Sequence, residues 1–289
     1  MNKSGAVVSV LYPPKRGKIS ANQLTTISPM KILLTGANGY IGQRLLQVLT
    51  EDGHEVYAVV RDKNRFQANT RHPQLVKVTE INFLETPDVS SLPKDFDVAF
   101  FLIHSMSSST KNFAVLEAET ATNFIKYVDQ TQCRQIVFLS GLMPETKLSM
   151  HLQSRKNVEE ILQSAQTPAT ILRAGIIIGS GSASFEIIRD LVEKIPVMIT
   201  PKWVQTRCQP IAVRDIVSYL KGVMLQPKAY SQKFDVGGPE VLTYKEMMLQ
   251  FAAIRGLKRR IFTVPVMTPR LSSYWLYFPV GPPPPIPSP

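Results

Sequence analysis

Gly36, Gly39 and Gly42 stand at G-x-x-G-x-x-G spacing directly after the apolar run 31–35, Lys-Ile-Leu-Leu-Thr. That order of residue types suits the holding of phosphate. A glycine at 36 permits a tight turn off the strand, one at 39 lets the backbone come close to a pyrophosphate, and one at 42 lets the new helix pack against the strand. The phosphates would then sit at the helix N-terminus, where unpaired N–H groups and the macrodipole favour negative charge. Such spacing arises by chance, and a glycine-rich turn can be purely structural. Here an apolar strand precedes it and the amphipathic segment Ile41, Leu45, Leu46, Val48, Leu49 follows, as a dinucleotide site requires.

The end of the second apolar run offers the next chemistry. An acid there bonds the ribose 2′-OH of NAD, whereas an Arg meets the 2′-phosphate of NADP. Val59-Val60 run into Arg61, one place before Asp62. A guanidinium fork suits phosphate in geometry and charge. The expected cofactor is therefore NADP(H), with NAD(H) as the alternative; the competing account is an Arg61 that merely pairs with Asp62 or faces solvent.

These residues need a scaffold, and the pattern supplies one. From Met30 onward strands alternate with helices, which implies a parallel sheet covered on both faces. Strands are expected at 31–35, 54–60, 75–79, 97–103, 135–139 and 170–172, the last continuing towards Ile178. Helices are expected near 40–51, 110–129 and 152–164. Beyond Gly179 the pattern predicts a helix at 183–194, a strand at 197–200, a helix at 213–225, a strand at 232–236, a helix at 244–255 and an extended 261–266. The fold class is thus α/β, a Rossmann-type doubly wound parallel sheet with a small C-terminal α/β lobe for substrate. Residues 1–29 read as a disordered extension, 30–180 as the nucleotide-binding core, 181–278 as substrate-lobe elements interleaved with that core, and 279–289 as a proline-rich, extended tail.

Composition narrows the class. At 44% hydrophobic and 19% charged, the chain of 289 residues reads as a globular, cytoplasmic protein. No apolar run approaches the ~18–20 residues a membrane helix needs. Cys133 and Cys208 are too few and too far apart for a metal site or a disulfide scaffold, which fits a reducing compartment. The formal charge is +11, but residues 1–29 hold Lys3, Lys15, Arg16 and Lys18 with no acid, which leaves +7 scattered over the rest apart from the short cluster Lys258-Arg259-Arg260. Nucleic acid is accordingly not the expected partner. The acid-free start would also suit an organelle presequence, but it lacks a clear amphipathic helix.

TGANGYIG at 35–42, Val59-Val60-Arg61-Asp62, FFLIHSM at 100–106, FLSGL at 138–142, LRAGIIIGSGSASFEIIR at 172–189 and QPIAVRDI at 209–216 together resemble an atypical or extended short-chain dehydrogenase/reductase. The similarity is to NAD(P)-binding proteins related to the complex I 39 kDa subunit and to NmrA-like proteins, over roughly residues 30–275. The resemblance implies cofactor contacts at Gly36, Asn38, Gly39, Tyr40, Ile41, Gly42, Arg61 and Leu102, and at Asn82, where relatives often carry an acid beside the adenine. His104 after the fourth strand would be a second polar group over the nicotinamide or a histidine satisfied by its own loop, and Gly175 would offer backbone to the nicotinamide amide.

The family's usual catalytic set is a Ser with a Tyr and a Lys four residues on. Ser140 closes strand five as that Ser should, but the Tyr and Lys positions hold His151 and Arg155. Their i, i+4 spacing puts both on one helical face, from which both could reach the cofactor. A His can act as general acid near neutral pH, and Arg155 could hold ribose or phosphate. Phe185, Ile188, Leu191, Met198 and Trp203, with Arg207 beyond, are expected to cover an apolar carbonyl or quinone-like substrate. The rival reading is a non-catalytic dinucleotide binder, a redox sensor or an assembly factor for a respiratory or quinone-pathway complex, with a protein partner engaged through the C-terminal third.

Overall fold

The computed structural model describes residues 28–88, 90, 92–103, 113–143 and 149–264. The expected N-terminal extension up to residue 27, His104 and the proline tail lie outside the described residues. In chain order the elements begin β1 (Lys31–Thr35), α1 (Tyr40–Glu51), β2 (Glu55–Val60), β3 (Val76–Glu80), β4 (Val98–Phe101), α2 (Phe113–Val128), β5 (Gln135–Gly141), α3 (Met150–Gln163) and β6 (Ala169–Ala174). They continue β7 (Ile177–Ile178), α4 (Ala183–Lys194), β8 (Val197–Pro201), β9 (Arg207–Cys208), β10 (Ile211–Ala212), α5 (Val213–Gly222), β11 (Lys233–Val236), β12 (Leu242–Thr243), α6 (Tyr244–Ile254) and β13 (Arg260–Val264).

Seven strands form one sheet in the order β11-β6-β5-β4-β1-β2-β3, every neighbouring pair parallel. Burial on both faces explains the unbroken apolar runs: Ile32, Leu33 and Leu34 of β1 and Val98, Ala99 and Phe100 of β4 are all inaccessible to solvent. On one face α2 and α3 cover Leu33, Phe101, Ile136 and Phe138, with Phe124 and Tyr127 of α2 in the same cluster. On the other lie α1, which buries Leu45, Leu46 and Leu49, and α5, which packs on α1. The molecule is a doubly wound Rossmann-type α/β fold.

The chain divides into two units. The first runs to Ala174 and takes in Val213–Val236, and the second comprises Gly175–Ala212 and the residues from Gly237 onward. The sequence reading put the boundary at 180 and counted 213–236 among substrate-lobe elements interleaved with the core. The chain instead returns to the first unit because β11 hydrogen-bonds to β6, with Lys233 level with Ile171. Gln135, fully buried in β5, holds that return in place: its amide donates to the Val223 carbonyl at 3.0 Å and to the Thr170 hydroxyl at 2.7 Å, which donates in turn to the Ala229 carbonyl.

In the second unit α4 and α6 pack around Ile188, Val192, Met247, Met248 and Ala252, and the two-stranded parallel sheet of β8 and β13 adds Met198 and Ile261. Ile188 and Met198, expected to line a substrate site, are core residues here: every second residue of β8 must face the helices, and Met198 is one of them. Phe185 stacks edge-on against Phe251 at 5.5 Å and Leu191 packs on the same cluster, while Trp203 is 56% exposed and stands edge-on to Tyr244. The guanidinium of Arg259 donates to the Val192 and Glu193 carbonyls, closing the C-terminus of α4 with a cation.

Candidate functional site

The strand order reverses between β1 and β4, and in such sheets the crevice at the carboxyl ends of these two strands is the ligand position. Thr35 closes β1 and clamps it to β4: its hydroxyl donates to the Phe100 carbonyl at 2.9 Å and accepts from the Leu102 amide at 3.2 Å. Gly36 follows at φ +66°, and a Cβ there would lie 2.5 Å from the Leu102 carbonyl oxygen, so no other residue fits. A Cβ on Gly42 would lie 2.1 Å from the Gly36 carbonyl oxygen; the first turn of α1 is thereby seated directly on the loop.

Gly39 differs from both. It is exposed, caps α1 at φ −78° and ψ 168°, and donates to the Gly36 carbonyl at 2.9 Å. No side chain caps the helix and no acid sits in its first turn. The first helical bond joins the Gln43 amide to the Gly39 carbonyl, and among the described residues the Ile41 and Gly42 amides have no partner. Asn38 is exposed at the tip of the turn, and the Tyr40 ring lies beneath the Arg44 guanidinium at 3.9 Å. An uncapped, acid-free helix start behind a turn closed by Gly36 and left open at Gly39 fits a pyrophosphate.

Arg61 is exposed and makes no ion pair among the described residues. The Asp62 carboxylate is engaged elsewhere, accepting the Asn64 amide at 2.9 Å and capping the turn 63–65. The loop that follows is tied to α1 through Gln43, whose side chain donates to the Gln67 carbonyl and accepts from the Asn69 amide, both at 3.2 Å. Asn82 uses its amide in its own turn, accepting from the Leu84 amide at 3.3 Å and donating to Glu85 at 3.2 Å.

Ser140 is the penultimate residue of β5. The pleat puts it on the face of Ile136 and Phe138, which α2 and α3 cover. It is only 5% exposed, and its hydroxyl has no hydrogen-bond partner among the described residues. An unpaired buried hydroxyl costs roughly 1–3 kcal/mol, so a ligand atom that pairs with it recovers that amount.

His151 and Arg155 keep the expected spacing but occupy different surroundings. His151 lies exposed in the first turn of α3, its ring 5.6 Å from that of Phe113. Arg155 is buried between α2 and α3, its guanidinium 5.6 Å from the Phe138 ring, in a small cavity that also touches Phe101, Ile103, Glu117 and Thr120. The expectation of one shared cofactor-facing surface is corrected on this point: one helical turn leads from the open start of α3 into its contact with α2. Burial pushes the Arg155 pKa down, and the Glu117 and Glu159 carboxylates oppose that. Glu117 accepts from the Ser154 hydroxyl at 2.6 Å. Glu159, inaccessible to solvent, is gripped through both oxygens by Arg173, with the Lys233 ammonium at 3.7 Å.

Gly175 opens the second unit and is partly exposed. Among the described residues no group of His, Cys, Asp or Glu is placed to hold a metal ion, and no helix is long and apolar enough to cross a membrane. Cys133 and Cys208 are unpaired, and burial pushes the Cys133 thiol up to about 12. Sequence reasoning missed Thr35 and the carboxylates of Glu117 and Glu159; a hydroxyl at the end of an otherwise apolar strand was the one available signal.

Comparison with known proteins agrees with this fold. A family model described as NAD(P)H-binding matches residues 36–193, more than half of the chain. The chain is 22% identical over 255 residues to the chloroplastic divinyl chlorophyllide a 8-vinyl-reductase of Arabidopsis thaliana; the match covers 82% of this chain and 60% of that protein's length. The Bordetella bronchiseptica enzyme WbmG in complex with NAD has the same fold, with TM-score 0.70 at 14% identity and 84% of each chain covered. So does a short-chain dehydrogenase/reductase superfamily protein from Agrobacterium tumefaciens with bound NAD, at TM-score 0.64 and 16% identity, covering 81% of this chain and 85% of that one.

Proposed function

The chain belongs to the NAD(P)H-binding family, and on that premise we propose that it is an NADP(H)-dependent reductase of an apolar carbonyl or quinone-like substrate. The buried Ser140 hydroxyl carries the reading, since it stands at the carboxyl end of the strand next to β4 with no hydrogen-bond partner among the described residues. When bound, the nicotinamide supplies the hydride. Ser140 donates to the substrate oxygen and orients it, His151 delivers the proton, and Arg155 stays charged and sets the electrostatics behind Phe138. The amides of Ile41 and Gly42 and the helix dipole hold the pyrophosphate, and the unpaired Arg61 supports the choice of NADP over NAD. The reductase named among the relatives supports reduction as the reaction class, and divinyl chlorophyllide a belongs in the substrate panel. The free thiols support a reducing compartment, which we take to be the cytoplasm.

The exposure of His151 favours a second reading, a dinucleotide-binding sensor or assembly factor without turnover. Steady-state rates of NADPH oxidation across carbonyl and quinone substrates and divinyl chlorophyllide a, for wild type, Ser140→Ala and His151→Phe, separate the two. The proposal expects wild-type turnover that falls at least about 100-fold in each variant with NADPH affinity intact. Silence of the wild type with every substrate gives the second reading.

A further inference from the structure

We propose that the outer face of the β8–β13 sheet docks the protein on an anionic lipid surface. In parallel register Val197 lies level with Arg260, Met198 with Ile261 and Ile199 with Phe262. Met198 and Ile261 point inward onto α4 and α6, so the pleat turns the side chains at 197, 199, 260 and 262 outward together. Val197 is 53% exposed, Ile199 55% and Phe262 56%, and they form one apolar strip across both strands. A soluble surface normally puts polar residues at such outward positions.

Cations frame the strip. Arg260 lies within it, Lys258 stands two residues before β13 and Lys202 follows β8; all three are exposed and none forms an ion pair among the described residues. The turn 202–205 is tied to β13 by the Gln205 amide, which donates to the Thr263 hydroxyl at 3.2 Å, and it carries the half-exposed Trp203. The acids of α4 are already engaged: Asp190 with Arg189 and Lys194, Glu193 with Arg255. An apolar strip with a Trp and unpaired Lys and Arg at its border has the chemistry of an interfacial membrane contact, where apolar side chains enter the acyl boundary and cations meet lipid phosphates. The face lies wholly within the second unit and does not depend on the proposed reaction.

The test is co-sedimentation of the full chain with vesicles of phosphatidylcholine alone and of phosphatidylcholine with an equal share of phosphatidylglycerol. Binding is expected on the anionic vesicles only and should weaken with salt. Ile199→Ser with Phe262→Ser should lower partitioning about tenfold per side chain, and Lys202→Ser with Arg260→Ser about fivefold per charge. Thermal melts of each variant verify folding. In a Trp275→Phe background, emission from Trp203, the remaining Trp of two, should shift to the blue on the anionic vesicles. Equal binding to phosphatidylcholine alone, binding untouched by the serine variants, or no binding overturns the proposal. So does a dimer in sedimentation that Ile199→Ser with Phe262→Ser dissociates, which would assign the face to a second copy.

Discussion

Substituting Gly39 separates cofactor binding from folding, because the three glycines of the turn carry different constraints. At Gly39 the backbone is ordinary, with φ −78° and ψ 168°, and an added Cβ meets one atom, the Gly36 carbonyl oxygen, at 3.1 Å. Gly39→Val therefore asks that oxygen to give by a few tenths of an ångström and replaces a tolerable N-cap by a poor one, together about 1–2 kcal/mol. For a protein of this size that is a fall of roughly 2–8 °C in Tm. The valine side chain projects where the pyrophosphate must approach the amides of Ile41 and Gly42, so binding should be lost outright. Thermal melts with and without NADPH read both effects. With ligand at about 100 times its Kd the wild type gains about 2.7 kcal/mol, or roughly 5–11 °C. Gly39→Val should melt cooperatively and show no such gain. Gly42→Ala is the contrast, since its Cβ would stand 2.1 Å from a backbone oxygen and must lower the ligand-free Tm itself. A Gly39→Val protein that keeps the NADPH shift would refute the phosphate-loop reasoning.

Three further outcomes are expected. Arg61→Ala should cut NADPH affinity about tenfold or more and leave NADH affinity unchanged in fluorescence titrations, because among the described residues the side chain has no ionic partner to lose. Glu159→Ala should destabilise the fold by about 3–5 kcal/mol in urea titrations by leaving Arg173 uncompensated beside Lys233, whereas Glu159→Gln should cost less. His54 is inaccessible to solvent, its Nδ1 accepts the Met30 amide at 3.2 Å and its Nε2 has no partner among the described residues, so burial pulls its pKa below the ordinary 6.5. The unfolded side chain takes up a proton that the folded one refuses. Stability is therefore full above 6.5 and lost as pH falls below it; Tm should drop between about pH 7 and 5.5 in the wild type and stay flatter in His54→Gln.

Much of the fold was readable because both periodicities are clean. The strand runs at 31–35 and 55–60 and the α1 stripe of Leu45, Leu46 and Leu49 report burial directly, and the spacing of Gly36 and Gly42 reports close backbone approach. What escaped depends on partners distant in sequence. Nothing in Lys233-Phe234-Asp235-Val236 says that it completes a sheet with β6. Nothing in Arg155 says that it is buried, because its surroundings come from Glu117 on α2 and Phe138 on β5. Nothing in His54, read as the first residue of a strand, says that the entry of the chain into β1 closes over it.

The return of the chain at 213–236 has a consequence for biosynthesis. Emerging from the ribosome, β6 has one neighbour, β5, and its other edge stays open until β11 follows some sixty residues later, the interval in which α4 and β8 are made. An open parallel edge is a template for wrong pairing, and a long closure is slow to complete. Arg173 and Lys233 come from the two strands of that late pair and converge on the Glu159 carboxylate, so the charge balance around it is completed only when β11 arrives. A nascent chain stopped between Ala174 and Lys233 should thus be held by chaperones through its open sheet edge, whereas one stopped just beyond Val236 should have closed that edge and be held only through α4 and β8, whose Val192 and Met198 still await Met248 and Ile261.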